Sequence, residues 1–236
     1  LNGWSLNFGD AINGRFWSAL VGKPVMRLPF GVDVPHYFTT GSILRKINEE
    51  SIVVGAGFIA ENDNLGGGNW DNVFSSHVYS LPRKILAVRG QRSSSKLSNM
   101  GVDFGSKLCF GDPLILFPLL PIIDGFGSGN AKQERTVALI PHYTEVKELE
   151  IWFDQLNNDF ALKPHFVDIM CGEQYEEMIQ TIMRSEYVIT SSLHGFILGL
   201  VFGKPTKHVH LSEKVIGEGF KFQDFRSAFT EHAFEL

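Results

Sequence analysis

The sequence predicts an α/β protein whose strands lie in parallel sheets. Short apolar runs rich in β-branched residues alternate with longer amphipathic stretches along the 236 residues, and regular alternation of strands and helices favours parallel pairing. The stretch at 124–132 (DGFGSGNAK) is rich in Gly and has few large apolar residues, which is typical of a linker between domains. We therefore predict an amino-terminal domain at 1–125 and a carboxy-terminal domain at 126–236.

The elements predicted before this linker are strands joined by short helices. The strands are 1–6, 36–40, 52–54 and 84–88, and the helices are 10–20, 42–48 and 95–100. An apolar helix or strand follows Gly111-Asp112-Pro113 and continues to Pro121. The glycines at 55–57 and 66–68 lack the G-x-G-x-x-G spacing, so the sequence does not predict a dinucleotide site.

The elements predicted after the linker alternate regularly. The strands are 135–141, 165–169 and 187–190, and the helices are 146–158 and 175–184. The last of these strands leads directly into a Ser-Ser-x-His-Gly turn and an apolar helix that starts near Leu193. Gly203-Lys204-Pro205 ends that helix and begins a further strand, which completes a βαβ half.

Composition and charge exclude several classes of protein. A net charge of −5 argues against a broad nucleic-acid surface. Cys109 and Cys171 form no metal-ligand pattern, and His208 and His210 lack a third ligand, so we predict no metal site and expect reduced thiols in a cytoplasmic protein. No apolar run has the length of a membrane span, and no signal peptide is visible. Because Leu1 is not an initiator Met, we expect that a preceding strand or a tag has been removed.

The turn after the strand at 187–190 is the main candidate site. Ligands of open α/β sheets bind at the carboxyl ends of the strands, and Ser191 and Ser192 are residue types that begin helices. The first amides of such a helix can bind an anion, and His194 would stand above it as a donor of a hydrogen bond or a proton. Gly195 permits a close approach. The alternative is a core helix whose histidine is satisfied by a neighbour.

Strings along most of the chain resemble the motifs of one family. They are Asn7-Phe8-Gly9-Asp10, Gly41-Ser42-Ile43-Leu44, Val54-Gly55-Ala56-Gly57-Phe58, Val88-Arg89-Gly90-Gln91-Arg92-Ser93, Gly111-Asp112-Pro113, Ile140-Pro141-His142-Tyr143, ITSSLHGFILGLVFGKP at 189–205, and Glu213-Lys214-Val215. In this order they resemble the polysaccharide pyruvyl transferases, which move pyruvate from phosphoenolpyruvate onto a sugar as a cyclic ketal. The resemblance implies a compact GT-B-like fold, in which two Rossmann-like domains face a central cleft with the donor mostly on the carboxy-terminal side.

The resemblance also implies a donor site. Arg89, at the carboxyl end of the strand at 84–88, matches an arginine that the family uses for phosphoenolpyruvate, and an arginine fork suits a carboxylate or a phosphate. Lys214 matches the lysine that follows the histidine motif, and Lys221 is its local competitor. A solvated surface residue is the alternative for either arginine of the motif. The predicted donor-binding residues are Arg89, Arg92, Ser191, Ser192, Leu193, Gly195 and Lys214.

The chemistry of phosphoenolpyruvate suggests the catalytic residues. A transferase must hold two anions while it supplies a proton to the methylene carbon, and we assign His194 as that acid or as a phosphate-binding cation. Asp10 is the candidate base for the sugar hydroxyls, with a helix-capping role as the alternative. Some relatives carry Arg where this chain has Ser192, so one anion contact must come from elsewhere.

A neutral acceptor sugar is expected against the amino-terminal half. Asn7 and the polar loop at 62–70 are its predicted site, where Asn62 reads hydroxyl groups and Trp70 stacks on a pyranose ring. A plain surface loop is the alternative. By resemblance the acceptor is the terminal hexose of a polysaccharide or of a lipid-linked oligosaccharide, and the protein is cytoplasmic, free or at the inner face of the membrane. No cofactor is expected, since phosphoenolpyruvate is a substrate.

Two other functions remain open from the sequence. One is a glycosyltransferase of the same architecture that takes a nucleotide sugar as donor. The other is a non-catalytic relative that binds carbohydrate. A thermal-shift comparison distinguishes the three, according to whether phosphoenolpyruvate, a nucleotide sugar or a sugar alone protects the protein against heat.

Overall fold

The computed structural model describes residues 7–63, 81–105, 107–120, 135–157, 162–172 and 174–229. Three predicted features lie outside these ranges. They are the strand at 1–6, the linker at 124–132, and Trp70 with most of its loop.

A first parallel sheet is formed by the strands before residue 111. Its strands are β1 (His36–Phe38), β2 (Ser51–Val54), β3 (Lys84–Val88) and β4 (Cys109–Phe110), and they lie in the order β1-β2-β3-β4. Each neighbouring pair is parallel, with His36 opposite Ser51 and Val88 opposite Phe110. These strands follow one another in chain order, so the described part of this sheet always grows toward the same edge.

A second parallel sheet is formed by the strands after residue 135. Its strands are β5 (Thr136–Ile140), β6 (Lys163–Phe166), β7 (Tyr187–Thr190) and β8 (Thr206–His208), and they lie in the order β6-β5-β7-β8. All three pairings are parallel. Every residue of β5 is buried, as expected for a central strand covered on both faces. The described part of the chain is therefore an α/β structure with two parallel four-stranded sheets, compatible with Rossmann-like domains.

Helices precede, separate and follow the strands of the two sheets. They are α1 (Phe8–Val21), α2 (Gln91–Asn99), α3 (Val146–Asn157), α4 (Glu176–Arg184), α5 (Leu193–Val201) and α6 (Phe220–Arg226), with 3-10 turns at Leu44–Lys46 and Pro113–Leu119. Helix α4 is amphipathic and buries Met178, Ile179 and Ile182 on one side. Helix α5 is apolar except for His194 in its first turn and buries most of its length, as a core helix does.

Contacts divide the chain into two units. The first unit contains Leu1–Val25 and Leu114–Val215, and the second contains Met26–Pro113 and Ile216–Leu236. These are not the segments 1–125 and 126–236 that the sequence predicts as domains. Helix α1 groups with the second sheet, because Phe8 packs edge-on against Phe117 and Tyr175 and its amide donates to Ile169 O at 2.8 Å. Helix α6 groups with the first sheet.

Each unit has its own apolar core. In the second unit, Phe38, Val53 and Val88 from the sheet pack with side chains that include Leu97 of α2 and Phe220 of α6. In the first unit, the core cluster consists of Val137, Leu139, Leu149, Phe153 and Val209. Each cluster joins side chains of a sheet to side chains of neighbouring helices or loops.

Several predicted boundaries are wrong for identifiable reasons. The predicted helix at 42–48 is only the 3-10 turn at Leu44–Lys46, because the backbone of Ile47 is extended. The Asn48 side chain then accepts from the amide of Glu50 at 3.1 Å and forms a turn. Helix α2 begins at Gln91 rather than at 95, because a distant carboxylate, that of Asp224, accepts from the amide of Ser93. The two-residue strand β4 is too short to give a periodic signal.

None of the helices in the described part of the chain is both long and apolar enough to cross a membrane.

Candidate functional site

The second sheet has a point where the direction of winding reverses. The chain passes from β5 to β6 on one side and then returns to place β7 on the other side of β5. In open parallel sheets, ligands bind in the crevice outside the carboxyl ends of the two strands at such a switch point. Here those ends carry the loop that starts after Ile140 and the turn Ser191–Ser192 that starts after Thr190.

The turn after β7 is held tightly by hydrogen bonds to the loop after β5. The Thr190 hydroxyl lies 2.6 Å from the carbonyl of Ile140, to which it donates, and accepts from the amide of Ser192 at 2.9 Å. The Ser191 hydroxyl accepts from the amide of His142 at 2.8 Å. Since Thr190, Ser191 and Ser192 are all buried, these contacts fix the backbone at the switch point.

Helix α5 begins at this turn without a side-chain cap from the described residues. Ser192 occupies the N-cap position with extended backbone angles, as the sequence predicts, but its hydroxyl does not bond to the first turn of the helix. The amino-terminal end of a helix carries partial positive charge and amide donors, which suit an anion. The start of α5 therefore has the electrostatic character that the predicted donor site requires.

The imidazole of His194 lies directly against the backbone of Gly9. A Cβ atom added to Gly9 would be 1.9 Å from Cε1 and 2.3 Å from Nε2 of His194. Only a residue without a side chain fits there, because these separations are far below van der Waals contact. The first turns of α1 and α5 thus meet at this glycine and this histidine.

The first turn of α1 is itself fixed by a capping residue. The Asn7 side chain accepts from the amide of Gly9 at 3.0 Å, and its amide nitrogen lies 3.9 Å from Met170 Sδ in the loop after β6. Asp10 is half-buried in the same turn, next to the glycine that contacts His194. Both predicted catalytic residues therefore belong to the first unit, and Asn7 has a structural contact in addition to its predicted role toward the acceptor.

The loop after β8 carries Lys214 toward the start of α3. Lys214 Nζ pairs with Glu148 Oε1, and this hydrogen bond lowers the pKa of the Glu148 carboxyl. The lysine side chain is 58% exposed, whereas that of Glu148 is 28% exposed. An exposed pair of this kind contributes little to stability, so the lysine can change partner at small cost.

Gly195 and Leu193 serve the packing of α5. A Cβ atom on Gly195 would be 2.6 Å from Thr190 Oγ1 and 2.8 Å from Ile140 Cγ2, so the close approach that this glycine permits is that of the helix to the sheet. Leu193 is buried. The predicted donor contacts of these residues stay predictions.

Arg89 has a buried ionic partner. Its Nε and Nη2 lie 3.0 and 2.9 Å from Asp224 Oδ2, and its Nη1 donates to Ser42 Oγ at 2.6 Å. Its Nη2 also donates to Phe58 O. Arg89 and Asp224 are both 0% exposed. The guanidinium therefore ties α6 to the end of β3 inside the second unit, and its predicted contact with the donor stays a prediction.

The remaining predicted residues of the second unit lie at its surface. The Arg92 side chain is 48% exposed, and its Nη1 lies 3.8 Å from Glu61 Oε2. Asn62 is exposed. Neither Arg92 nor Asn62 belongs to the unit that contains His194. Trp70 lies outside the described residues.

Sequence reasoning missed three residues that shape these sites. They are Gly9, Glu145 and Asp224, and no local sequence pattern assigns a role to any of them. Glu145 and Asp224 are fully buried carboxyl groups. Their partners are far away in the sequence, 67 residues for Ser212 and 135 for Arg89, so no local pattern points to them.

The fold and the arrangement at the switch point are those of α/β proteins that bind ligands at the carboxyl edge of a parallel sheet. Comparison with protein families is more specific. A family model described as Polysaccharide pyruvyl transferase matches residues 3–207, which is most of the chain. The chain belongs to the polysaccharide pyruvyl transferase family. Neither the curated proteins nor the solved structures contain a match.

Proposed function

We propose that this protein transfers pyruvate from phosphoenolpyruvate to the terminal hexose of a polysaccharide or lipid-linked oligosaccharide and forms a cyclic ketal. The observation that carries the proposal is the meeting of two helix starts, those of α1 and α5, at Gly9 and His194 beside the switch point. Membership of the family supports transfer of a pyruvyl group in general. The identity of the donor and of the acceptor is our inference.

The donor would be held through its two anionic groups. The uncapped start of α5, with the amides of Leu193 and Gly195, would bind one of them, and Lys214 would bind the phosphate. Arg89, Arg92, Ser191 and Ser192 complete the proposed donor set. Because Arg89 is paired internally with Asp224, its contact with the donor is the part of the set that most needs a separate test.

The reaction would then proceed by addition and loss of phosphate. Proton transfer from His194 to the methylene carbon forms the methyl group and leaves an oxocarbenium-like centre, to which one sugar hydroxyl adds. The bond between this carbon and the phosphate oxygen breaks, and a second hydroxyl closes the ketal as phosphate leaves. Asp10 would accept the proton of the first attacking hydroxyl, and the departing phosphate would take up the proton of the second. Neither a metal ion nor a cofactor takes part in this proposal.

The acceptor would bind to Asn7, Asn62 and Trp70. We also propose a GT-B-like fold, with two Rossmann-like domains facing a central cleft, no nucleic-acid partner, and a cytoplasmic location, free or at the inner face of the membrane. An acceptor that is polymeric or attached to a lipid needs to present only its terminal sugar to the site.

Calorimetry with phosphoenolpyruvate tests the proposal. Binding at low ionic strength should weaken steeply as salt is added, because charge-assisted contacts supply it and salt screens them. Release of inorganic phosphate that depends on an added hexose acceptor would complete the assignment. Absence of phosphoenolpyruvate binding at low salt, with binding of a nucleoside diphosphate sugar instead, would replace it by a glycosyltransferase. Binding of a sugar alone would indicate a non-catalytic relative.

A further inference from the structure

Glu145 is a fully buried carboxyl group to which the proposed reaction assigns no role. It stands immediately before α3 and is 0% exposed, and its amide donates to His142 O at 2.8 Å. Its Oε1 accepts from the Ser212 hydroxyl at 2.7 Å, whereas its Oε2 has no hydrogen-bond partner among the described residues. Burial of a carboxyl group with one oxygen unpaired is unfavourable, so a function that requires this residue would explain its presence.

Ser212 connects this carboxyl group to the backbone of Lys214. The serine hydroxyl donates its single proton to Glu145 and accepts from the amide of Lys214 at 3.2 Å. A hydroxyl group has one proton and two lone pairs. Because Glu145 takes the proton, a lone pair of the hydroxyl is left to accept from the amide of Lys214. The three residues form a chain in which the carboxyl group orients the hydroxyl and the hydroxyl holds the lysine backbone.

The rest of the loop is held by apolar packing. Val209 and Leu211 pack against the core cluster that includes Leu149 and Phe153 of α3, and Val215 is buried at the other end. Between these anchors the exposed residues are Glu213 and Lys214. The polar link through Ser212 is therefore the contact that determines where the exposed part of the loop stands.

The position of this link in the sheet places it beside the candidate site. Glu145 follows β5 and Ser212 follows β8, and β7 lies between those strands. A hydrogen bond that joins the two loops brings the segment after β8 past the carboxyl end of β7, where the turn with His194 begins. Lys214 is thereby kept on the same edge of the sheet as the start of α5.

We propose that Glu145 is a positioning residue, which acts through Ser212 to hold the backbone of Lys214 where its ammonium group can reach the phosphate of the donor. This inference rests on the proposed function, because it takes Lys214 as a ligand of phosphoenolpyruvate. The backbone of the lysine is fixed by the buried link, and its exposed side chain, paired with Glu148, can exchange that partner for phosphate.

A double-mutant cycle measured by calorimetry with phosphoenolpyruvate tests the inference. Lys214→Ala should weaken binding by about tenfold, because it removes a charge-assisted hydrogen bond to the donor. Ser212→Ala should weaken binding by about threefold to tenfold, because it removes the neutral hydrogen bond that positions the lysine. In the Lys214→Ala background, Ser212→Ala should have no further effect, since the residue that it positions is already gone. The KM for the acceptor should stay unchanged in each variant.

Conservative variants separate positioning from a general loss of structure. Ser212→Thr keeps the hydroxyl group and Glu145→Gln keeps an oxygen that can accept from it, so both should bind the donor nearly as the wild type does. If Ser212→Ala fails to fold, Ser212→Cys, with similar volume but a weak donor, takes its place in the cycle. Ser185→Ala is the matched control, because the hydroxyl of this buried serine donates to Thr181 O before the amino end of β7, away from the loops after β5 and β8.

The outcomes are distinct for the inference and for the proposed function. Additive losses in the double variant, or unchanged donor affinity in Ser212→Ala, would overturn the positioning role. If the Lys214→Ala variant binds phosphoenolpyruvate as tightly as the wild-type protein does, the positioning role is also overturned, while the proposed function survives. Failure of the wild-type protein to bind phosphoenolpyruvate would reject the proposed function, and the inference with it.

Discussion

The imidazole ring of His194 lies against the Cα atom of Gly9, so closely that a methyl group at residue 9 would be 1.9 Å from Cε1 of the ring. This contact joins the first turns of α1 and α5, and the two residues, 9 and 194, are 185 positions apart in the chain. The ring can occupy this position only because residue 9 is a glycine, since any side chain there would fill the same space.

Gly9→Ala should therefore lower activity by displacing the histidine. Within the same helix, Gly14→Ala is the matched control, because the nearest atom to its added methyl group is Val25 O at 3.9 Å. Alanine favours the helix over glycine by about 1 kcal/mol, so Gly14→Ala should keep its activity and melt at the same or a higher temperature. Steady-state kinetics and thermal melts of the two variants check this. Wild-type turnover by Gly9→Ala would show that the ring position is unimportant.

Replacement of His194 by Gln or Ala should abolish transfer and leave the fold intact. The residue is only half-buried in the first turn of α5, so little packing is lost, whereas the proposed acid is removed. His210→Gln is the control, since this histidine is exposed in the loop after β8. Phosphate release and circular dichroism are the measurements. Turnover by His194→Gln equal to that of the wild type would contradict both roles assigned to the histidine.

Loss of one partner of the Arg89–Asp224 pair should destabilise the second unit. Asp224→Asn leaves a buried guanidinium without its counter-ion, and removal of one partner from a buried pair typically costs about 3–5 kcal/mol. The exposed pair of Arg83 and Glu50, 2.8 Å apart, is the control, and Arg83→Ala should cost about 1 kcal/mol or less. Urea denaturation gives both values. Equal midpoints for Asp224→Asn and the wild type would be the contrary result.

Arg89→Lys separates the structural role of this arginine from its predicted role toward the donor. Lysine keeps the charge but loses the fork that contacts Asp224, so the variant should be less stable and should also bind phosphoenolpyruvate more weakly than the wild type. Calorimetry below the melting temperature of the variant measures the second effect. Unchanged donor affinity in the folded variant, together with a large loss in Arg92→Ala, would assign the donor contact to Arg92.

Trp70→Ala should raise the KM for the acceptor and leave the affinity for phosphoenolpyruvate unchanged. The reason is that an aromatic face stacks on a pyranose ring, whereas a small and highly charged anion is bound by cations and amides. Acceptor kinetics at saturating donor and calorimetry with the donor alone test this. Losses of similar size for both substrates would mean that the loop is structural and that the acceptor binds elsewhere.

The two cysteines should differ in their rate of alkylation. Burial raises the pKa of the Cys171 thiol to about 11, whereas Cys109 is exposed. The thiolate is the reactive form, so at pH 8 iodoacetamide should modify Cys109 first, and the rate for Cys171 should continue to rise toward pH 11. Mass spectrometry of the peptides over time measures both rates. Equal rates at pH 8 would contradict the burial of Cys171.

Much of the second sheet was predictable from local sequence. The strand Tyr187–Thr190 and the start of α5 at Leu193 agree with the prediction, β5 is one residue shorter than predicted at each end, and α3 begins at the predicted residue. Apolar runs of this kind form strands wherever the chain buries them, and glycine or serine marks their ends through backbone geometry alone. The helix predicted at 42–48 does not form, because the side chain of Asn48 accepts from the amide of Glu50 and makes a turn there.

The sequence by itself determined the α/β class, the alternation that produces parallel sheets, the family, and the turn that carries His194, because each depends on residues close together in the chain. Only the tertiary structure decided that α1 packs with the second sheet, that Gly9 faces His194, and that Arg89 is buried against Asp224. These outcomes depend on which distant groups meet when the chain folds. An arginine at the end of a strand has the same local signal whether it faces a ligand or a buried carboxylate, and packing alone distinguishes the two.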